Sequence, residues 1–129
     1  MKKEIHTKEA PQAIGPYSQA ILTKDHLFIS GQIGLDPKTG KLVGDTIQEQ
    51  TRQVLKNIEA ILQEAGLVWK NIVRTEIYLI DLWHFEEMNA VYQEVFSEDP
   101  KPARHAVEVR RLPKDALVEI VCVAVTLVN

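Results

Sequence analysis

Apolar residues recur at helical spacing over one long stretch of this chain. From Thr46 to Ala65, the residues Ile47, Thr51, Val54, Ile58, Ile61 and Ala65 step by three and four, and Leu55 and Leu62 widen the stripe. That spacing lays one apolar face along an amphipathic helix. Thr46-Ile47-Gln48-Glu49 has the form of a capping box, and Gly66 offers a left-handed stop. A second helix is predicted from about Leu82 to Phe96, with Asp81 as N-cap. Phe85, Asn89, Tyr92 and Phe96 fall on one face of it. Asn89 is the polar member of that face. Either it packs there and bonds a neighbouring backbone carbonyl, or its amide reaches the edge of a pocket.

Other patterns predict strands. Leu27-Phe28-Ile29-Ser30 is a short apolar run closed by Gly31, and Ser18 to Leu22 should pair with it around Lys24-Asp25. Ile72 to Ile80 mixes β-branched and aromatic residues, and Ala103 to Val109 alternates. Leu117 to Val128 is almost continuously apolar, as in a strand covered on both faces. Turn residues separate these runs at Asp36-Pro37-Lys38-Thr39-Gly40 and Pro113-Lys114-Asp115. The order predicts an α+β or mixed α/β sandwich, one domain over residues 1–129, with two helices packed on one sheet face. The uncovered face must then bury itself elsewhere, and a symmetric oligomer is the simplest answer for so short a chain.

Composition narrows the function. Hydrophobic content of 45% and charged content of 26% are those of a globular protein. The net charge of −3, with lysines and arginines spread along the chain, argues against a dedicated nucleic-acid binder. Arg110-Arg111 with Lys114 is the single local basic patch. The lone Cys122 reads as a small core residue in a reducing compartment. No apolar run follows Met1-Lys2-Lys3 to make a secretion signal, and none approaches the ~20 residues that span a bilayer. A soluble cytoplasmic protein is expected. His6, His26, His84 and His105 are scattered without metal-ligand spacing, and no dinucleotide or Walker glycine motif occurs.

Glu119 is the chemical anomaly. It lies inside an otherwise apolar run, where an ionised carboxylate loses water at a cost of several kcal/mol unless something compensates. It needs a cationic partner or a job. Arg104 follows a Pro102-Ala103 step, and a small carboxylated substrate held by Arg104 and processed by Glu119 would supply both. Alternation puts Arg104, Ala106 and Glu108 on one strand face and His105, Val107 and Val109 on the other. The strands of Arg104 and Glu119 should run antiparallel, either paired or flanking another strand. A simple register sets Arg104 level with about Val123, roughly 13 Å from Glu119 along the strand. The two residues of one chain should therefore not meet, and a shared substrate would need one of them from a neighbouring subunit. Gly15-Pro16 bends the chain before Tyr17, which either packs or closes a pocket. Ser30-Gly31-Gln32-Ile33-Gly34 is either a turn or bulge, or a place where a ligand approaches the backbone.

Four motifs together carry a resemblance: Ala13-Ile14-Gly15-Pro16-Tyr17-Ser18-Gln19-Ala20, Ser30-Gly31-Gln32-Ile33-Gly34, Asn89-Ala90-Val91-Tyr92, and Pro102-Ala103-Arg104 through Glu119-Ile120. In this order, over nearly the whole chain, they closely resemble the RidA family (also YjgF, including TdcF and RutC-like proteins). The resemblance implies a chorismate-mutase-like α+β fold and a homotrimer with ligand clefts between subunits. It implies a deaminase of 2-aminoacrylate, 2-aminocrotonate and their imine tautomers, which pyridoxal-phosphate-dependent dehydratases release. In these roles Arg104 clamps the substrate carboxylate and Glu119 positions and deprotonates water. Tyr17 walls the pocket, and backbone groups of Ser30 and Gly31 with the Ala106 amide bind the rest, near Asn89. No metal or organic cofactor is implied. Ala106 stands where many members carry cysteine, which keeps the N–H but removes thiol chemistry. His105 stands where many have a small residue, and reads as an interface or packing change. Two other functions compete: a non-catalytic sensor of small ketoacids or amino acids, and a ribonuclease or translation inhibitor, as some relatives are described.

Overall fold

The first helix begins where the pattern says it should. In the computed structural model, which describes residues 1–127, the Thr46 side chain accepts the Glu49 N–H at 3.1 Å. Helix α1 then runs Ile47–Glu64 and ends before Gly66, whose φ of 75° suits the absent Cβ. The second helix departs from the expectation in its first turn. Asp81 caps a separate 3-10 turn, Leu82–His84, accepting the Trp83 N–H at 2.9 Å, and α2 spans only Phe85–Val95, with no side-chain cap of its own. The Leu82 N–H is drawn instead to the Glu108 carboxylate at 3.0 Å.

Six strands complete the fold: β1 (Lys3–Ile5), β2 (Ala20–Leu22), β3 (His26–Gln32), β4 (Ile72–Leu79), β5 (Ala103–Glu108) and β6 (Val118–Val125). They form one mixed sheet in the order β1-β2-β3-β6-β4-β5. Neighbours are antiparallel except β4 and β5, which α2 joins as a parallel crossover. Both helices lie on one face, as the pattern predicts. β1 was not anticipated; it has three residues, and only Ile5 is buried. β6 stops at Val125 because Thr126 turns to bond the β2–β3 turn, its N–H on Asp25 O and its hydroxyl on Lys24 O. The predicted last residue of that strand, Val128, lies outside the described residues.

The core sits between the helices and the sheet. Val54, Ile58 and Ile61 of α1 and Met88 of α2 are fully buried with Ile77, Ile120 and the other inward sheet residues. Each such side chain contributes ~1.5–3 kcal/mol by leaving water. Cys122 belongs to this core, and burial pushes its thiol up to about 12. β6 alternates rather than burying both faces: Val118, Ile120, Cys122 and Ala124 face the helices, while Glu119, Val121, Val123 and Val125 face away and are half-buried. Phe28 and Val107 share that helix-free face and are 47% and 41% exposed. An apolar, open sheet face is what the oligomer expectation requires.

Candidate active site

Glu119 lies on the helix-free face, opposite Tyr78 in the antiparallel β4–β6 pair. On its other side β3 carries a bulge between Ile29 and Gln32. The bulge brings Gly31 under the carboxyl group: a Cβ there would sit 2.7 Å from Glu119 Cδ and 2.7 Å from Oε2. Glycine at this position is therefore a matter of space for the acid, not of backbone angle. Burial raises the Glu119 carboxyl above its ordinary pKa. The carboxyl opens into a cavity of about 520 Å³ lined by Ile14, Tyr17, Ser30, Gly31, Gln32 and Lys114. Tyr17 is 54% exposed, so it walls the cavity and is not a core residue.

Buried amides hold the walls of this cavity. Gln19 Oε1 accepts the Thr7 N–H at 2.7 Å, and Gln19 Nε2 donates to the Pro11 carbonyl at 2.8 Å and the Thr7 carbonyl at 3.0 Å. This ties residues 7–11 to the start of β2 and fixes the loop that ends in Tyr17. Asn57 of α1 donates to Ile33 O and Leu35 O, fixing the segment after β3. Gln50 donates to Gly44 O and accepts the Leu117 N–H at 2.8 Å, just before Glu119. Ser30 is committed inside the chain: its N–H bonds Gln19 O, its hydroxyl bonds Ser18 O at 2.6 Å, and its carbonyl accepts from Gln32 Nε2. Its contribution to a ligand is a wall and a remaining carbonyl lone pair, not a free donor.

Arg104 occupies a second, smaller cleft of about 260 Å³ between β5 and α2, with Asn89, Tyr92 and Gln93. Its NH1 donates to Asn89 Oδ1 at 2.7 Å. Asn89 therefore lines this cleft and bonds the Arg104 side chain there. The guanidinium also lies over the Tyr92 ring, 4.8 Å from its centroid, and 5.4 Å from that of Phe85. Among the described residues Arg104 makes no ion pair with a carboxylate. Two residues along, Ala106 is on the edge strand. The Val109 N–H bonds Leu79 O on β4, so by alternation the Ala106 N–H points away from the sheet at its free edge.

The two sites are separate within one chain. β5 and β6 flank β4, and Arg104 is level with Thr75 and hence with Cys122, one residue from the simple register. Glu119 is level with Tyr78, three residues away, or ~10 Å along the strands. An odd offset also puts the two side chains on opposite faces. Arg104 thus joins the helix side and Glu119 the open side. Tyr78, the ladder partner of Glu119, and Glu76 on the same strand face escape a reading of the sequence alone. The Tyr78 hydroxyl donates to Glu76 Oε1 at 2.8 Å, and this bond, with burial and the nearby charges of Glu76 and Glu119, raises the Tyr78 pKa. His105 meets the Tyr78 ring edge-on and lies 4.0 Å from Glu76 Oε1. The alternation of Arg74, Glu76 and Tyr78 along β4 was the available signal. Among the described residues, no three His, Cys, Asp or Glu side chains cluster to hold a metal.

A family model described as Endoribonuclease L-PSP matches residues 7–126. A RutC family protein of Pyrococcus horikoshii is 55% identical over 124 residues, covering 96% of this chain and 98% of that one. The chain belongs to the RidA/RutC family. The Reactive Intermediate Deaminase A of Arabidopsis thaliana, chloroplastic, is 45% identical over 125 residues, or 96% of this chain and 66% of that protein. Among solved structures, E. coli TdcF with bound serine superposes with a TM-score of 0.91 at 41% identity, covering 97% of this chain and 99% of that one. The RidA fold in this chain is the six-stranded mixed sheet with two helices on one face, and deaminase chemistry is supported at the level of the family.

Proposed function

We propose that this protein hydrolyses reactive 2-enamine and 2-imine acids, such as 2-aminoacrylate, 2-iminopropanoate and 2-iminobutanoate, to 2-ketoacids and ammonia. The observation that carries the reading is Arg104: an aligned guanidinium with no carboxylate partner of its own among the described residues, offered at a cleft edge. Its free N–H fork suits two parallel bonds to a substrate carboxylate. The active unit is a symmetric trimer in which Arg104 of one protomer and Glu119 of the next close on one substrate. The serine bound by TdcF is a small amino acid of the same size class, which supports a carboxylate anchor.

The chemistry follows from the Glu119 environment. A carboxyl whose pKa burial raises holds its proton more firmly than an ordinary glutamate, which suits a group that both gives and takes a proton. Protonation of the enamine at C3 yields the iminium. Water then adds its oxygen to C2 while Glu119 accepts the released proton. Glu119 passes that proton to nitrogen, the C–N bond breaks to expel ammonia, and the carbinol hydroxyl returns its proton to Glu119 as the ketone forms. In this reading the edge N–H of Ala106 bonds the substrate and Tyr17 covers the cavity. The substrate source is a pyridoxal-phosphate-dependent dehydratase acting in the cytoplasm. Coupling a serine or threonine dehydratase to this protein tests the reading: ketoacid formation should outrun spontaneous hydrolysis, and Arg104→Ala and Glu119→Ala should each abolish the gain. Full rate in Glu119→Ala would remove Glu119 from the chemistry, and a parent protein that gives no gain over spontaneous hydrolysis would leave only binding or sensing.

The endoribonuclease description of the family model favours a second reading. Nucleic-acid cleavage would draw on phosphate contacts, which a net charge of −3 supports poorly. RNA binding that weakens steeply with salt, together with cleavage lost in Arg110→Ala/Arg111→Ala, would establish it.

A further inference from the structure

We infer that Tyr92 is a positioning residue for Arg104: its ring face sets the plane of the guanidinium and so aims the N–H fork at the substrate carboxylate. The inference rests on reading Arg104 as the anchor. A cation held over a ring face spends no N–H donor on that face, and among the described residues Asn89 takes one through NH1, which leaves donors of the fork for a ligand. Tyr92 is itself held. Its hydroxyl shares a buried 2.8 Å hydrogen bond with Thr75 Oγ1. Its ring lies 4.4 Å from that of Phe96, which meets Trp69 edge-on at 5.2 Å. Thr75 is also the ladder partner of Arg104 on β4. The strand residue that fixes the Arg104 backbone therefore also fixes the ring beneath its head group.

The consequence is pre-organisation. A free arginine side chain loses most of its rotamer freedom on clamping a ligand, and that loss weakens binding. Here the guanidinium is already confined by a ring on one side and an amide at one end. The contribution comes from electron density on the ring face as well as from shape. Filling the core alone would need only shape, which gives the test its discrimination.

Phenylalanine and its progressively fluorinated analogues at position 92 keep the ring's shape while withdrawing density from its face. With Tyr92→Phe as reference, KM for 2-iminobutanoate and the directly titrated Kd of 2-oxobutanoate should rise along the series, to about 5- to 20-fold, with kcat within about 2-fold. In an Arg104→Ala background, where no rate is needed, that Kd should not vary along the series. A flat series with Arg104 present overturns the inference and leaves the anchor reading intact. If Arg104→Ala itself leaves the 2-oxobutanoate constant unchanged, the anchor reading falls instead.

Discussion

The Glu119 carboxyl group fills the space in which a side chain at Gly31 would begin, 2.7 Å from a Cβ built there. Gly31→Ala should therefore act on the acid and not on the fold. The φ of Gly31 is not in the left-handed region, so alanine meets no backbone strain, and the clash is with the far end of a flexible side chain. Glu119 would swing to another rotamer. We expect kcat/KM to fall at least ~10-fold through misplacement of the base, with a stability change under about 1 kcal/mol. Parallel thermal melts and dehydratase-coupled rates check it; an unchanged rate would show that the carboxyl position is not critical.

Burial of Glu119 has a pH signature. Its folded-state pKa lies above the ordinary value of 4.5, with burial as the cause. The folded chain then binds more protons than the unfolded chain over that interval, so this group's contribution falls as pH rises from the ordinary value through the raised one. Glu119→Gln removes the cost of an ionised, half-buried carboxylate. The variant should be more stable than the parent at pH 7–8, and the difference should vanish as pH drops below the ordinary glutamate range. Urea midpoints at several pH values measure this. A guanidinium from a neighbouring chain close to Glu119 would shrink the difference, so its size reports on the assembled site. Activity should drop ~10²–10⁴-fold in the same variant if the carboxylate is the base.

Periodicity and caps carried much of this fold. The α1 stripe, the Thr46 cap and the Gly66 stop are local signals, and local signals survive folding intact. The register of Arg104 against Glu119 is not local. It depends on β4 lying between β5 and β6, and on a turn in which Lys114 and Asp115 both adopt φ of 57°. A slip of one residue changed the face on which the pair sit, though not the conclusion that one chain keeps them apart. β1 escaped notice because one buried residue in three makes no pattern. Gln19 escaped as a structural clamp because its partners are carbonyls, which the sequence does not display.

That clamp makes its own prediction. Gln19 is 2% exposed, and its amide satisfies the Thr7 N–H and the carbonyls of Thr7 and Pro11. Gln19→Ala would leave those buried groups without partners and open a void. A loss of ~2–4 kcal/mol is expected, larger than truncation of an exposed glutamine. The segment before Tyr17 should loosen first. Hydrogen exchange should therefore speed up at residues 7–11 more than in α1, and uniform acceleration across the chain would contradict the clamp.

The decisive prediction concerns two inactive proteins mixed together. Within one chain Arg104 and Glu119 stand on opposite faces of the sheet, so no single protomer can present both to one small substrate. If the site forms between chains, an Arg104→Ala protomer can still lend its Glu119, and a Glu119→Ala protomer its Arg104. Co-refolding equal amounts should then restore roughly a quarter of wild-type activity, the share of interfaces that pair one intact residue from each, in a closed ring. The helix-free face supplies the control. Val123 lies half-buried on it, level with Phe28. Val123→Glu would place a charge where another chain must pack, and should dissociate the assembly in sedimentation and remove the complementation with it. Activity that persists in a monomeric Val123→Glu protein would mean that the two residues do not share a substrate across chains, and that Arg104 anchors something other than what Glu119 hydrolyses.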